Sequence, residues 1–500
     1  MSVLASGARG FARCVSAGAL AASAAFSQSL EAGCSSKPSS SAESRADAGN
    51  EVVTGSDAQG RSGSAGTPAT GGDTQRGRFP LKLGPAGARY LVDQQGHPFF
   101  WAGEAAWSLI AQLSLEDARV YLDDRRSKGV NLLMVNLIEH KFATRAPANR
   151  TGDRPFGDKP FTAFNEAYFA HADAILREAG AREMVVLLAP TYLGYDCGDE
   201  GFCQDVARTS AAEMRAWGRY LGERYASFPN LIWLIGGDAD PSPVQGKLRE
   251  LVAGIRERDS VHLMSAHDAP ESQATSHWPN ESWLTIDNIY TYDASTYTWA
   301  SKAQKGGKPF YLAESTYENE HDASTQTLRA QAYFAVLGGA MGHIFGNCPM
   351  WHFDSTTAFC DQRGWRSQLD SPGSKSMQHL RALFSSRAWH DLVPDTDHNT
   401  LTSGFGKYGA TDYVAGALTL DRSTFIAYLP SARQITVDLS RLSGEQISVT
   451  WFDPARGTTQ AQSSMTGRQT VTLSPPSARA GDWVLILDDS ARGFAAPGSD

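Results

Sequence analysis

Eight short apolar runs, most separated by a stretch of helical period, constrain this chain more than any other feature. The runs are Phe99–Ala102, Leu132–Ile138, Met184–Ala189, Leu231–Ile235, Val261–Ser265, Thr285–Tyr290, Pro309–Ala313 and Met341–Phe345. Several are continuous rather than alternating, as expected of strands covered on both faces. Between them, Ser114 opens an amphipathic stretch with an acidic first turn. Asn165–Ala179, Thr209–Tyr225, Val244–Arg258 and Ser324–Leu337 repeat that pattern, and only the link between the fifth and sixth runs is irregular. A strand–helix alternation that counts to eight predicts a (β/α)8 TIM barrel. A doubly wound open sheet is the rival, and no Gly-x-Gly-x-x-Gly follows a strand to support it. Arg78–Asp93 reads as a small hairpin at the barrel bottom. After Asp395 the helical period vanishes, and β-rich runs recur at 413–420, 423–428, 434–439, 446–452, 469–473 and 483–487. They predict a C-terminal antiparallel β-sandwich. The expected domains are a catalytic barrel at 77–392, the sandwich at 393–491 and a frayed tail at 492–500.

The amino end reads as an address. Over residues 1–33, Arg9 and Arg13 precede a short apolar segment, Val15–Phe26, as in an export signal. Leu30-Glu31-Ala32-Gly33-Cys34 resembles a bacterial lipobox, although Glu31 stands where that pattern has Leu. Cys34 is therefore a lipidation candidate, and the exported chain is either secreted or lipid-anchored at the bacterial envelope. Residues 34–76 are rich in Ser, Gly and Ala, cannot offset their ordering entropy by burial, and read as a disordered tether. Export gives the remaining cysteines a meaning. Cys197/Cys203 and Cys348/Cys360 form two local pairs without Cys-x-x-Cys spacing, which favours two loop-closing disulfides over a metal site.

Charge narrows the partners. With 45 Lys+Arg against 54 Asp+Glu the net charge is −9, which disfavours nucleic acid. No run of about 18 apolar residues offers a spanning helix, leaving only the Cys34 anchor for a membrane. His-Glu-x-x-His, Gly-x-Ser-x-Gly and phosphate-loop motifs are absent from the sequence, so no metal and no cofactor is expected. Oligomeric state is not set by any of these features.

In a barrel the chemistry lies at the carboxyl ends of the strands. The polar residues there are Glu104 and Trp107, Asn136, Tyr192, Asp238, His267, Tyr290 and Tyr292, Glu314 and Glu318, then His343 and Trp351. Asp238 follows a Gly-Gly at the fourth strand end, and Glu314 ends the seventh, roughly across the mouth. Glycoside hydrolysis needs two such carboxyls, one donating a proton and the other attacking or stabilising the anomeric carbon. Glu318, four residues beyond Glu314, competes with it for that role. Aromatics make up 10% of the chain, with 12 Trp. They suit either sugar-stacking platforms or an ordinary core.

Several segments resemble the apiosidase-like glycoside hydrolases. They are Gly96-His-Pro-Phe-Phe-Trp-Ala-Gly-Glu-Ala-Ala-Trp107, Tyr121–Asn131, Phe228-Pro-Asn-Leu-Ile-Trp-Leu-Ile-Gly-Gly-Asp238 and Glu314-Ser-Thr-Tyr-Glu318. The tail, with Trp451–Gly457 and Asp482-Trp-Val-Leu, is similar to the sandwich that commonly follows that catalytic domain and carries a collagen-binding label. The resemblance implies a retaining glycosidase on plant or microbial polysaccharide side chains, with Asp238 as acid/base, Glu314 as nucleophile and apiosyl linkages as precedent. Glu104 stands where the family usually has Asp, which puts the sugar in question. A carbohydrate- or matrix-binding surface protein without catalysis is the alternative.

Overall fold

The structure is a computed structural model that describes residues 78–499 apart from 294, 361–362 and 477–480. The export signal, the tether and Cys34 lie outside the described residues.

The eight barrel strands are Trp101–Ala105, Leu132–Asn136, Val185–Ala189, Leu231–Gly236, Met264–His267, Asp287–Tyr290, Phe310–Glu314 and Gly342–Phe345. They pair in parallel in the order five-four-three-two-one-eight-seven-six, and a short antiparallel strand, Ser272–Gln273, borders the sixth. At the seam between the fifth and sixth strands, the N–H groups of Thr285 and Ile286 both donate to the Met264 carbonyl, at 3.0 and 3.2 Å. This seam falls in the link that is irregular in sequence. The fifth strand starts three residues later than its apolar run. The Asp259 carboxylate accepts the Val261 and His262 N–H groups, at 3.0 and 3.1 Å, and holds that segment in a turn.

Helices open near the expected starts, although the cap near Thr209 is Ser210 and Val244 makes no side-chain cap. Ser114, Asn165, Ser210 and Ser324 each accept a backbone N–H in the first turn of the helix they open, and Ser210 with Glu213 completes a capping box. The expected hairpin is larger than its sequence suggests. Lys82–Leu83, Leu91–Val92 and Pro98–Phe99 form a three-stranded antiparallel meander. Phe79, Leu81, Leu91 and Phe99 from this segment join the barrel's inner core with Trp101, Leu132, Val185 and Ile232. The meander therefore plugs the barrel bottom.

The carboxyl-terminal part is two antiparallel sheets of six and three strands. Thr458–Thr466, not among the expected strand runs, is a nine-residue strand that pairs with Gln446–Asp453 alone among the described residues. It is an exposed edge strand of polar residues, so no apolar alternation marks it in sequence. The expected tail makes contacts with the preceding helix end. Arg387 donates to the Ala495 carbonyl at 3.0 Å, its guanidinium lies 4.8 Å from the Phe494 ring, and the Gly498 N–H donates to Ser386 at 3.2 Å.

Helices Thr325–Leu337 and Pro372–Ser385 bury Tyr333, Phe334, Leu380 and Phe384 against Ala415, Ile426, Tyr428 and Val484 of the six-stranded sheet. A two-pronged ion pair crosses this contact: the Arg329 Nε and Nη2 donate to Asp482 at 2.7 and 2.8 Å. Both side chains are buried, and the Tyr428 hydroxyl donates to the same carboxylate at 3.0 Å. Asp482→Ala leaves Arg329 buried without its counter-charge and should cost about 3–5 kcal/mol. An equilibrium denaturation midpoint unchanged in that variant would refute the clamp.

Candidate active site

Along the barrel strands, side chains alternate between the inner core and the helix layer. In the first strand Trp101, Ala105 and then Trp107 face inward, while Ala102 and Ala106 face the helices. Glu104 falls on the outward set. It is buried, accepts the Tyr121 hydroxyl at 3.1 Å and pairs with Arg125 at 2.9 Å. The Glu-for-Asp departure thus lies in the helix layer, away from the strand mouth. His343 fails by the same parity: its neighbour Ile344 faces inward, and its own Nε2 lies 2.9 Å from Met377 Sδ on helix Pro372–Ser385. Neither residue lines the cavity that holds Asp238 and Glu314, as was expected of both.

Glu314 reaches the cavity because the alternation breaks. Tyr311 and Ala313 face inward, which would send Glu314 out. The pairing with the sixth strand runs Asn288↔Tyr311, Ile289↔Leu312, then Tyr290↔Glu314, skipping Ala313. This one-residue bulge re-aims Glu314 inward beside Tyr290. Glu318 is directed elsewhere. Its carboxylate accepts the Gly373 N–H at 2.7 Å and the Asn347 amide at 2.8 Å, fastening the seventh-strand loop to the start of a helix. Of the two competing glutamates, only Glu314 lines the cavity.

Asp238 is turned in by three consecutive positive-φ residues, Gly236 at 92°, Gly237 at 143° and Asp238 at 61°. Glycine is required at the middle position, because a Cβ on Gly237 would lie 2.4 Å from Tyr192 Cδ2. The Asp238 carboxylate accepts the Tyr290 hydroxyl at 2.8 Å and the Tyr192 hydroxyl at 3.0 Å. His267, at the fifth strand end, joins the two acids. Its Nδ1 accepts the Asp238 backbone N–H at 3.2 Å, so its Nε2 carries the proton and donates to Glu314 Oε2 at 3.0 Å. Burial holds this imidazole down at about 4, in its neutral form.

The cavity, about 500 Å³ including its open mouth, is lined by Trp107, Asn136, Tyr192, Asp238, Tyr292, Glu314 and Trp351 among the expected residues. Tyr290 and His267 stand behind the acids. Phe142, Glu200, Tyr317, Glu320 and Phe359 complete the wall and were not anticipated. Tyr317 and Glu320 follow Glu314 at spacings of three and six, a signal masked by the choice between Glu314 and Glu318. Phe142, Glu200 and Phe359 come from loops, where no periodicity announces them. Cys197 pairs with Cys203 and Cys348 with Cys360. Glu200 lies inside the first of these closed loops, and Trp351 and Phe359 inside the second. Burial, assisted by the Glu314 charge, lifts Asp238 to about 6. Burial lifts Glu314 to about 8, opposed by the Tyr317 hydroxyl. Near neutrality the pair holds roughly one proton.

Two family models match the chain. "Apiosidase-like, catalytic domain" covers residues 85–391, and "Putative collagen-binding domain of a collagenase" covers residues 406–488. No curated protein matches. Among solved structures, a glycoside hydrolase family 5 protein from Bacteroides vulgatus superposes with a TM-score of 0.75 at 23% identity, covering 85% of this chain and 95% of that one. Another, titled "Glycoside hydrolase", gives 0.72 at 22% identity, covering 83% of this chain and 97% of its own. At these identities the likeness is one of fold.

A carboxyl held at about 8 when folded, against an ordinary 4.5, weakens the fold as pH rises. The cost is absent below the ordinary value, grows between the two, and is complete above about 8. Glu314→Gln keeps the acceptor for His267 and should therefore melt above the unsubstituted protein at pH 8, with that advantage gone at pH 4. A lower melting temperature at pH 8 would contradict the burial argument. Gly237→Ala should push Tyr192 off Asp238 and lower turnover by about tenfold or more, and a full-rate variant would show that this hydrogen bond is dispensable.

Proposed function

Because the chain belongs to the apiosidase-like catalytic-domain family over residues 85–391, we propose a retaining reaction at the Asp238–Glu314 pair. The protein is a glycoside hydrolase, and its substrate is a carbohydrate. In the proposed reaction Asp238 protonates the leaving glycosidic oxygen while Glu314 attacks the anomeric carbon. A covalent glycosyl–enzyme results, and water activated by Asp238 then releases the sugar with retained configuration.

The observation that carries this reading is the His267 bridge, which holds both acids at one cavity. It also supports the division of roles. His267 Nε2 can only donate, which suits an ionised Glu314, whereas the Tyr192 and Tyr290 hydroxyls can donate to a carboxylate or accept from a carboxylic acid. Burial pulls the other way, since it lifts Glu314 above Asp238. The roles rest on the donor geometry, because the direction of the His267 hydrogen bond distinguishes the two acids.

Apiosyl or similar linkages in plant or microbial polysaccharide side chains are the proposed substrates, and export from a bacterial cell the proposed setting. Two closed cystine loops at the cavity rim support an oxidising compartment.

The kcat/KM profile should be bell-shaped, with limbs near 6 and 8. Below the lower limb both acids are protonated and the nucleophile is lost. Above the upper limb both are ionised and the proton donor is lost. A rate that keeps climbing beyond pH 9 would rule out a donor in this pair. Asp238→Asn and Glu314→Gln should each lower the rate on pectic glycans or aryl glycosides by about 10²–10⁴. With azide and an activated aryl glycoside, Asp238→Ala should yield a glycosyl azide of retained configuration and Glu314→Ala one of inverted configuration. The reverse pairing would exchange the two roles.

A further inference from the structure

We infer that Glu320 selects the sugar: it accepts hydroxyl hydrogens of a neutral sugar unit, and the acid-lined cavity turns away a sugar that carries its own carboxylate. The inference rests on the glycoside hydrolase reading of this cavity and names the sugar class it admits.

Four carboxyl side chains line the cavity, Glu200, Asp238, Glu314 and Glu320, and no Lys or Arg does so among the described residues. Glu200 has a counter-charge at the rim, with Lys141 Nζ at 3.7 Å. Glu320 has none. A turn in which its N–H donates to the Tyr317 carbonyl at 3.2 Å sets its backbone. The Trp351 indole N–H donates to its Oε1 at 3.3 Å. Its Oε2 accepts no hydrogen bond among the described residues. Trp351 is itself packed edge-on against Phe142, with ring centroids 5.0 Å apart, and lies 5.9 Å from Phe359. A hydroxyl acceptor beside a rigid aromatic face is the match for a sugar ring, which offers O–H groups at its edge and C–H groups on its face.

The same carboxyl carries the exclusion. Burial and the charges of Glu314 and Asp238 hold Glu320 up at about 7, so the three acids already repel one another. A further carboxylate, that of a uronic acid, would enter this field with no Lys or Arg lining the cavity among the described residues to meet it.

Isothermal titration calorimetry tests this with methyl glycosides of neutral pentoses and hexoses beside the matching methyl hexuronides. The unsubstituted protein should bind a neutral glycoside at least about tenfold more tightly than its uronide. Glu320→Ala should weaken the neutral glycoside about tenfold. Glu320→Gln, which keeps the Trp351 partner and an acceptor oxygen, should fall between the two while narrowing the gap to the uronide. Equal binding of uronide and neutral glycoside, unchanged binding in Glu320→Ala, or no binding of any neutral glycoside would each overturn the inference. Turnover is scored separately. Sugars bound in this order but never released from a glycosidic bond would defeat the hydrolase reading alone, whereas cleavage indifferent to Glu320 and to a uronate carboxyl would defeat this one alone.

Discussion

Strand alternation in the barrel sends every second side chain into the core, and the candidate site exists where two strand ends depart from it. The seventh strand skips Ala313 in its pairing, which rotates Glu314 from the helix layer into the mouth. The fourth ends in three successive positive-φ residues, which fold Asp238 over the same opening. Where alternation persists, acids at strand ends serve the scaffold instead. Glu104 answers Arg125 beneath a helix, and Glu318, past the bulge, holds the start of another. Chemistry and architecture thus use the same residue type, separated by a single residue of register.

His267 turns two nearby acids into one unit. Its ring accepts from the backbone that carries Asp238 and donates to the side chain of Glu314, so a shift at either strand end is felt at the other. Burial of the imidazole keeps it neutral and preserves that direction of donation. The arrangement costs stability, since both acids would be better solvated in an unfolded chain, and such costs are common where charge must be held ready for reaction. The surrounding fold supplies the offset. The amino-terminal meander seals the barrel bottom with apolar side chains, and the six-stranded sheet covers two barrel helices through aromatic packing and the Arg329–Asp482 pair. The sandwich thereby braces the catalytic barrel.

Much of the architecture can be read along the chain. Several apolar runs are continuous, and helix caps such as Ser114 and Ser324 act locally, so strand count and helix starts need no tertiary information. The misplacements have equally local causes. Asp259 turns Val261–Leu263 away from the fifth strand, and the edge strand Thr458–Thr466 shows no apolar face because neither face is buried. Arg387 donates to the Ala495 carbonyl, a contact between residues more than a hundred positions apart that no local pattern announces.

At the site the division is sharper. Sequence alone determined that acids, tyrosines and a histidine sit at the strand ends of an eightfold barrel, because hydrophobic period and chain order suffice to place them there. Only the tertiary structure decided which of them meet. A bulge is a property of two paired strands and leaves no mark on one of them, so Glu314 and Glu318 are indistinguishable until the sixth strand is laid beside the seventh. Glu320, Phe142 and Phe359 enter from loops whose course is set by two cystines and by the packing of Trp351, which depend on contacts across the barrel mouth rather than on any repeat along the chain.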